Sequence, residues 1–76
     1  LKIDEKLIDI VSKYLPKAIT EKEFDKSFKD LGMDSMSSIN LIVDLEDIYN
    51  TIIPDEYLTH ENFSSLKALQ KTLNSI

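Results

Sequence analysis

The sequence predicts an all-α fold: a small bundle of three main helices with one or two short ones and a long first loop. Three observations predict it. Apolar residues recur at helical spacing in three separate segments. Only one Gly and two Pro punctuate the 76 residues, so most of the chain is regular structure. No segment alternates apolar and polar residues as a half-buried strand does. A chain of this length makes one domain, residues 1–76, with a thin core.

The first helix is expected from Asp4 to Leu15, where Leu7, Ile8, Ile10, Val11, Tyr14 and Leu15 mark the stripe. Asp4 suits the N-cap, Ile3 and Ile8 are placed as a hydrophobic staple, and Pro16 stops the helix. Residues 16–34 then form a long connection, which Phe24, Phe28, Leu31 and Met33 should pin to the core. A short helical turn is expected there at Lys26 to Asp30. Long loops in small domains often carry function.

The second helix is expected from about Ser35 to Tyr49 or Asn50. Advancing about 100° per residue gathers Ile48, Leu41, Leu45, Tyr49, Ile42 and Ile39 on one broad arc, the expected core face. Met36 and Val43 fall on the opposite side with Asn40, Asp44 and Asp47, and Glu46 lies at the flank. Pro54 and Asp55 favour a short turn or helix through Leu58, and a second short piece fits His60 to Phe63. The last helix starts near Ser64 or Ser65, both good caps, and Leu66, Leu69, Leu73 and Ile76 form its stripe.

Composition narrows the function classes. At 42% apolar, the chain is not a disordered segment. With no Cys, disulfide scaffolds, Cys-based zinc sites and thiol nucleophiles are excluded. A single His, His60, lacks the partners of a transition-metal site, so no metal is expected. The longest apolar run is Leu41-Ile42-Val43, so no membrane insertion is expected either. No targeting segment is visible, and the cytoplasm is the expected compartment. The chain starts without Met, as expected of one trimmed or cut from something longer.

The net charge of −5 is unevenly spread. Residues 30–66 hold eight acids and no Lys or Arg, hence −8, and the other residues sum to +3. An acidic segment without basic residues disfavours nucleic acid and favours a partner with a basic surface.

The informative stretch is Leu31-Gly32-Met33-Asp34-Ser35-Met36. A Gly ends an irregular loop, and a Ser stands at a helix start between an acid and an apolar residue. The helix dipole and free backbone N–H groups there suit a phosphoryl group on Ser35. The plain alternative is that Ser35 caps the helix. Asp34 favours the dipole in either case.

This stretch resembles the attachment motif of acyl carrier proteins and related phosphopantetheine-binding carrier domains. Leu41 to Leu45-Glu46-Asp47-Ile48-Tyr49, then Ile53-Pro54-Asp55-Glu56, is similar to that family's helix and following turn at the expected spacing. The length, the long first loop and the last stripe agree, so the resemblance covers essentially the whole chain. It implies a carrier and not an enzyme. A separate phosphopantetheinyl transferase would attach 4'-phosphopantetheine from coenzyme A to Ser35, with Asp34 helping it recognise the site. An acyl- or aminoacyl-loading enzyme and an acyltransferase or synthase would then exchange thioester cargo on the arm's thiol. The resemblance makes Met36 and Val43 apolar contacts for those partners. It makes Asp44, Glu46 and Asp47 contacts for basic patches. A monomer is expected.

Two departures point away from bulk fatty-acid synthesis. Ser37 and Asn40 stand where such carriers usually have acids, and Met36 replaces the usual Leu after the serine. The tail from Leu58 to Leu66 looks more like carriers of polyketide, nonribosomal-peptide or amino-acid pathways. The competing reading is a helical interaction adaptor that never carries an arm and works through its acidic face alone.

Overall fold

The structure is a computed structural model and describes residues 2–76. Three α-helices form it: α1 (Glu5–Ser12), α2 (Ser35–Ile48) and α3 (Leu66–Ser75). Single 3-10 turns lie at Glu21–Glu23 and Asp55–Tyr57. Among the described residues there is no strand.

α1 starts where its cap requires. The Asp4 side chain accepts from the Lys6 N–H, and Glu5 in the first turn suits the dipole. Leu7, Ile10 and Val11 are buried. The helix ends at Ser12, earlier than Leu15. Residues 13–15 continue as tight turns whose N–H groups reach back three residues, and Pro16 then forbids any return to helix.

The long first loop is anchored at both faces. Ile19, Phe28 and Met33 are buried in the core, and Phe24 and Leu31 pack against it. Two backbone bonds join it to the start of α3: Phe28 N–H to the Ser64 carbonyl at 2.8 Å, and Lys67 N–H to the Phe24 carbonyl at 3.0 Å. A 3-10 turn falls at Glu21–Glu23, and a single helical turn lies close to the expected Lys26 to Asp30, closed by the Leu31 N–H to the Ser27 carbonyl at 3.1 Å. Thr20 sets the first of these, because the Glu23 carboxylate accepts from both the Thr20 N–H and hydroxyl.

α2 is the central element, and it departs from the expected wheel. Leu41 and Leu45 are fully buried and Ile42 and Tyr49 half-buried, but Ile39 is 59% exposed and Ile48 is also exposed. α1 packs against both α2 and α3. The covered arc is shifted from the expected one: Ser37 and Asp44, beyond Ile48 on the wheel, are half-buried, while Ile39 at the other edge is not covered. Ile48 is exposed as the last residue of the helix.

Side-chain ties hold the far end of the bundle together. The Tyr49 hydroxyl donates to Asp4 at 3.0 Å, and the Asp4 N–H donates to buried Gln70 at 2.8 Å. After α2, Asn50 adopts a positive φ of 50°. Glu46 then ties down the next segment: its carboxylate accepts from the Ile53 N–H at 2.8 Å, and its carbonyl accepts from the Thr51 N–H. Residues 60–63 form turns that amount to one helical turn, closed by the Phe63 N–H to the Thr59 carbonyl at 3.2 Å, and not a longer helix. Ser65, one of the two expected caps, accepts from the Ala68 N–H and starts α3. Leu66 and Leu69 are fully buried and Leu73 half-buried, while Ile76 is exposed.

Candidate functional site

The site is built by a turn and a helix start. Gly32 has φ +100°, a conformation that side-chain-bearing residues adopt only under strain. A β-carbon there would also lie 2.9 Å from the Pro16 ring. The turn folds back through Met33, whose N–H donates to the Phe28 carbonyl and whose side chain is buried. The chain therefore leaves the core at Asp34, directly before α2.

Asp34, not Ser35, is the N-cap. Its carboxylate accepts from the Ser37 N–H at 2.7 Å, and its backbone is extended. That bond, with a smaller contribution from the Met36 N–H, holds its carboxyl below the usual carboxylate range. The folded form thus favours the anion. The resulting stability is present above the ordinary value of 3.8 and is lost as pH falls through the lowered one. Asp34→Asn keeps a cap but removes this titration. In acid unfolding followed by circular dichroism, it should lose less stability below pH 4 than the wild type. Identical acid profiles would show that the carboxylate contributes nothing.

The cap assignment frees Ser35. It occupies the first helical position, is exposed, and has no hydrogen bond to its hydroxyl among the described residues. Ser38, by contrast, donates its hydroxyl to the Asp34 carbonyl at 3.2 Å, and Ser37 is half-buried.

Met36 and Val43 are 70% and 59% exposed. With Ile39 they form a stripe within about 60° of the α2 circumference, at spacings of three and four. The helical wheel alone puts Ile39 on the core face. Its spacing from Met36 and Val43 is the signal that places it on the outward face. Asp47 is exposed beside this stripe. Asp44 and Glu46 do not stand free in the same way. Both are half-buried; Asp44 accepts from the Tyr14 hydroxyl, and Glu46 is held by Ile53. The acidic face is therefore smaller than the helical wheel suggests.

On another side of α2, Ser38 and Ile42 lie one and two turns beyond Ser35. They line a cleft of about 250 Å³ with Phe28, Leu41, Leu58 and Phe63; Thr59 and His60 also border it. No group of three or more metal-ligating side chains occurs among the described residues.

Comparison with known proteins decides what this arrangement is. The family model for the phosphopantetheine attachment site matches residues 5–69. The chain belongs to the phosphopantetheine-binding carrier family. It is 33% identical to an acyl carrier protein of Rickettsia bellii (strain RML369-C), over 75% of this chain and 67% of that protein. It is 41% identical to an acyl carrier protein of Exiguobacterium sp., over 66% of this chain and 68% of that protein.

The fold recurs in solved structures. One is of engineered Bradyrhizobium japonicum glycine:[carrier protein] ligase complexed with carrier protein from Agrobacterium tumefaciens and ATP. The matching chain there has a TM-score of 0.83 at 24% identity, over 95% of this chain and 96% of that one. Another is of the Bradyrhizobium japonicum ligase complexed with glycylated carrier protein. Its TM-score is 0.76 at 23% identity, over 90% of this chain and 93% of that one.

The protein is thus a carrier and not a catalyst, and its cofactor is covalently attached 4'-phosphopantetheine. The residues fit that group. A phosphodiester needs an exposed, uncommitted hydroxyl, and the start of α2 supplies one.

Proposed function

We propose that Ser35 carries the 4'-phosphopantetheine arm and that the protein presents an aminoacyl or acyl thioester to partner enzymes of a specialised biosynthetic pathway. The free, exposed hydroxyl of Ser35 directly after the Asp34 cap carries this reading. In the modification, Ser35 Oγ attacks the phosphorus of coenzyme A nearest the pantetheine. A new O–P bond forms, the pyrophosphate bond breaks, and the nucleotide half leaves. The serine proton passes to the phosphopantetheinyl transferase that binds both substrates. Once attached, the arm supplies a thiol for thioester chemistry, which a chain without Cys otherwise lacks.

Asp34 keeps the hydroxyl of Ser35 out of the cap and serves as the recognition residue for the transferase. Met36 and Val43, with Ile39, meet an apolar surface on the loading enzyme, and Asp47 meets a basic group at its edge. Asp44 and Glu46 contribute chiefly inside the carrier. Short cargo on the arm has the cleft near Ser38 and Ile42 beside it. The cytoplasm is the compartment that suits this reading.

Two features favour aminoacyl cargo. Ser37 and Asn40 stand in the first turns of α2 in place of the acids expected of bulk fatty-acid carriers. The fold also recurs in carriers bound to glycine:[carrier protein] ligases. The test is direct. Incubation with a broad-specificity transferase and coenzyme A should add one phosphopantetheine mass to the intact protein. The product, given ATP, single amino acids and a ligase of that type, should then gain one aminoacyl mass removable by hydroxylamine. Arm addition without any aminoacyl loading would sink the cargo assignment and leave the carrier role.

A further inference from the structure

We infer that Tyr14 and Asp44 form a brace that positions Ser35 for modification, acting through Pro16 and Gly32. This rests on Ser35 being the attachment residue.

The brace starts from the turn that follows α1. Tyr14 is half-buried and donates its hydroxyl to Asp44, in the middle of α2. Among the described residues this is the one side-chain hydrogen bond between residues 13–17 and α2. The other bonds of that turn run back to α1: Tyr14 N–H to the Val11 carbonyl and Leu15 N–H to the Ser12 carbonyl. The bond to Asp44 also pushes the Tyr14 phenol up, so the donor stays protonated.

Two residues further on, Pro16 walls the Gly32 turn. Its Cγ and Cδ lie 2.9 and 3.1 Å from where a Gly32 β-carbon would stand. The opposite side of the turn is fixed by Met33, buried in the core and bonded to the Phe28 carbonyl. The turn is therefore held between a core anchor and the Pro16 ring, and its next residue is the cap that leaves Ser35 free. If Tyr14 lets go of α2, the Pro16 wall can move, and the Gly32 turn is left with the Met33 anchor and its own backbone bonds, such as the Gly32 N–H to the Lys29 carbonyl at 3.1 Å. Close packing transmits such a shift because there is little empty space to absorb it. Tyr14 and Asp44 touch no reacting atom, so both are positioning residues.

The experiment uses the full chain. In Tyr14→Phe, the amide protons of Gly32 and Met33 should exchange about ten-fold faster, the effect of losing one charge-assisted hydrogen bond. With transferase and coenzyme A, kcat for arm addition should fall roughly three- to ten-fold with KM unchanged, since presentation and not docking is altered. Asp44→Ala should reproduce the faster exchange, and Asp44→Asn, which still accepts from the phenol, should restore protection. Tyr49→Phe removes a phenol at the far end of the bundle and should leave kcat as it is.

Unchanged exchange at Gly32 and Met33 in Tyr14→Phe would overturn the brace. So would acceleration spread evenly over all amides, which would mean plain loss of global stability. Faster local exchange with unchanged kcat would overturn the positioning role. If the wild type accepts no arm at all, the attachment reading fails, whereas the exchange comparison still decides whether the brace exists.

Discussion

Ser35→Ala is expected to abolish addition of the 4'-phosphopantetheine arm completely while leaving the chain folded. The change removes the only atom that can form the phosphodiester at that position. It should cost little in stability, because Ser35 is exposed, makes no hydrogen bond among the described residues, and is not the cap. Ala is a better helix former than Ser. Intact-mass measurement after treatment with transferase and coenzyme A reads the result, and circular dichroism confirms the fold. Ser37→Ala should still gain the full arm mass. The neighbouring serines are poor substitutes for Ser35: Ser37 is half-buried, and the hydroxyl of Ser38 is committed to the Asp34 carbonyl. An arm mass on folded Ser35→Ala would move the attachment elsewhere and defeat the assignment.

Leu45→Ala should produce the largest stability loss, about 2–4 kcal/mol, because it leaves a cavity that a tightly packed core cannot close. Leu45 is 0% exposed at the middle of α2. A domain of this size holds roughly 4–11 kcal/mol in all, so the variant should be markedly nearer unfolding. Urea denaturation shows this as a lower midpoint with little change in slope. Val43→Ala, two residues away on the exposed stripe, should stay within about 0.5 kcal/mol of the wild type. Equal losses for the two would contradict the assignment of inner and outer faces of α2.

The contrast between these two positions shows where sequence reasoning holds and where it fails. Leu41 and Leu45 are legible as core because they lie on the apolar arc within the body of the helix. Ile39 lies at one edge of the arc and Ile48 at the end of the helix, and periodicity cannot say which side of the arc, or how much of its length, the rest of the chain will cover. The outward apolar stripe is thus one residue richer than Met36 and Val43 alone suggest.

The acids show the same limit from the other side. Asp44 and Asp47 share one side of the wheel, yet Asp44 is bound to Tyr14 and Asp47 stands free. Glu46 lies at the flank of the wheel, and the structure turns it to the Ile53 N–H. Those partners lie 30 residues away in one case and seven in the other, across turns of unknown shape. No local pattern announces them.

By itself, the sequence determined the class of fold, the three helical stripes, the cap at Asp4, a cap at Ser64 or Ser65, and the motif around Ser35. These depend on short-range rules: helical period, cap chemistry, and the conformational freedom of Gly32. It also determined that any reactive thiol must be borrowed, since the chain has no Cys. Only the tertiary structure decided that Asp34 takes the cap and leaves the Ser35 hydroxyl free. It alone decided that the outward face of α2 is more apolar than acidic, and that Tyr14 and Pro16 stand behind the Gly32 turn. The cap is a local choice between two adjacent residues that can both cap, settled by the extended backbone of Asp34 and its bond from the Ser37 N–H. The other two depend on which distant groups meet, and that is fixed by the packing of the bundle as a whole.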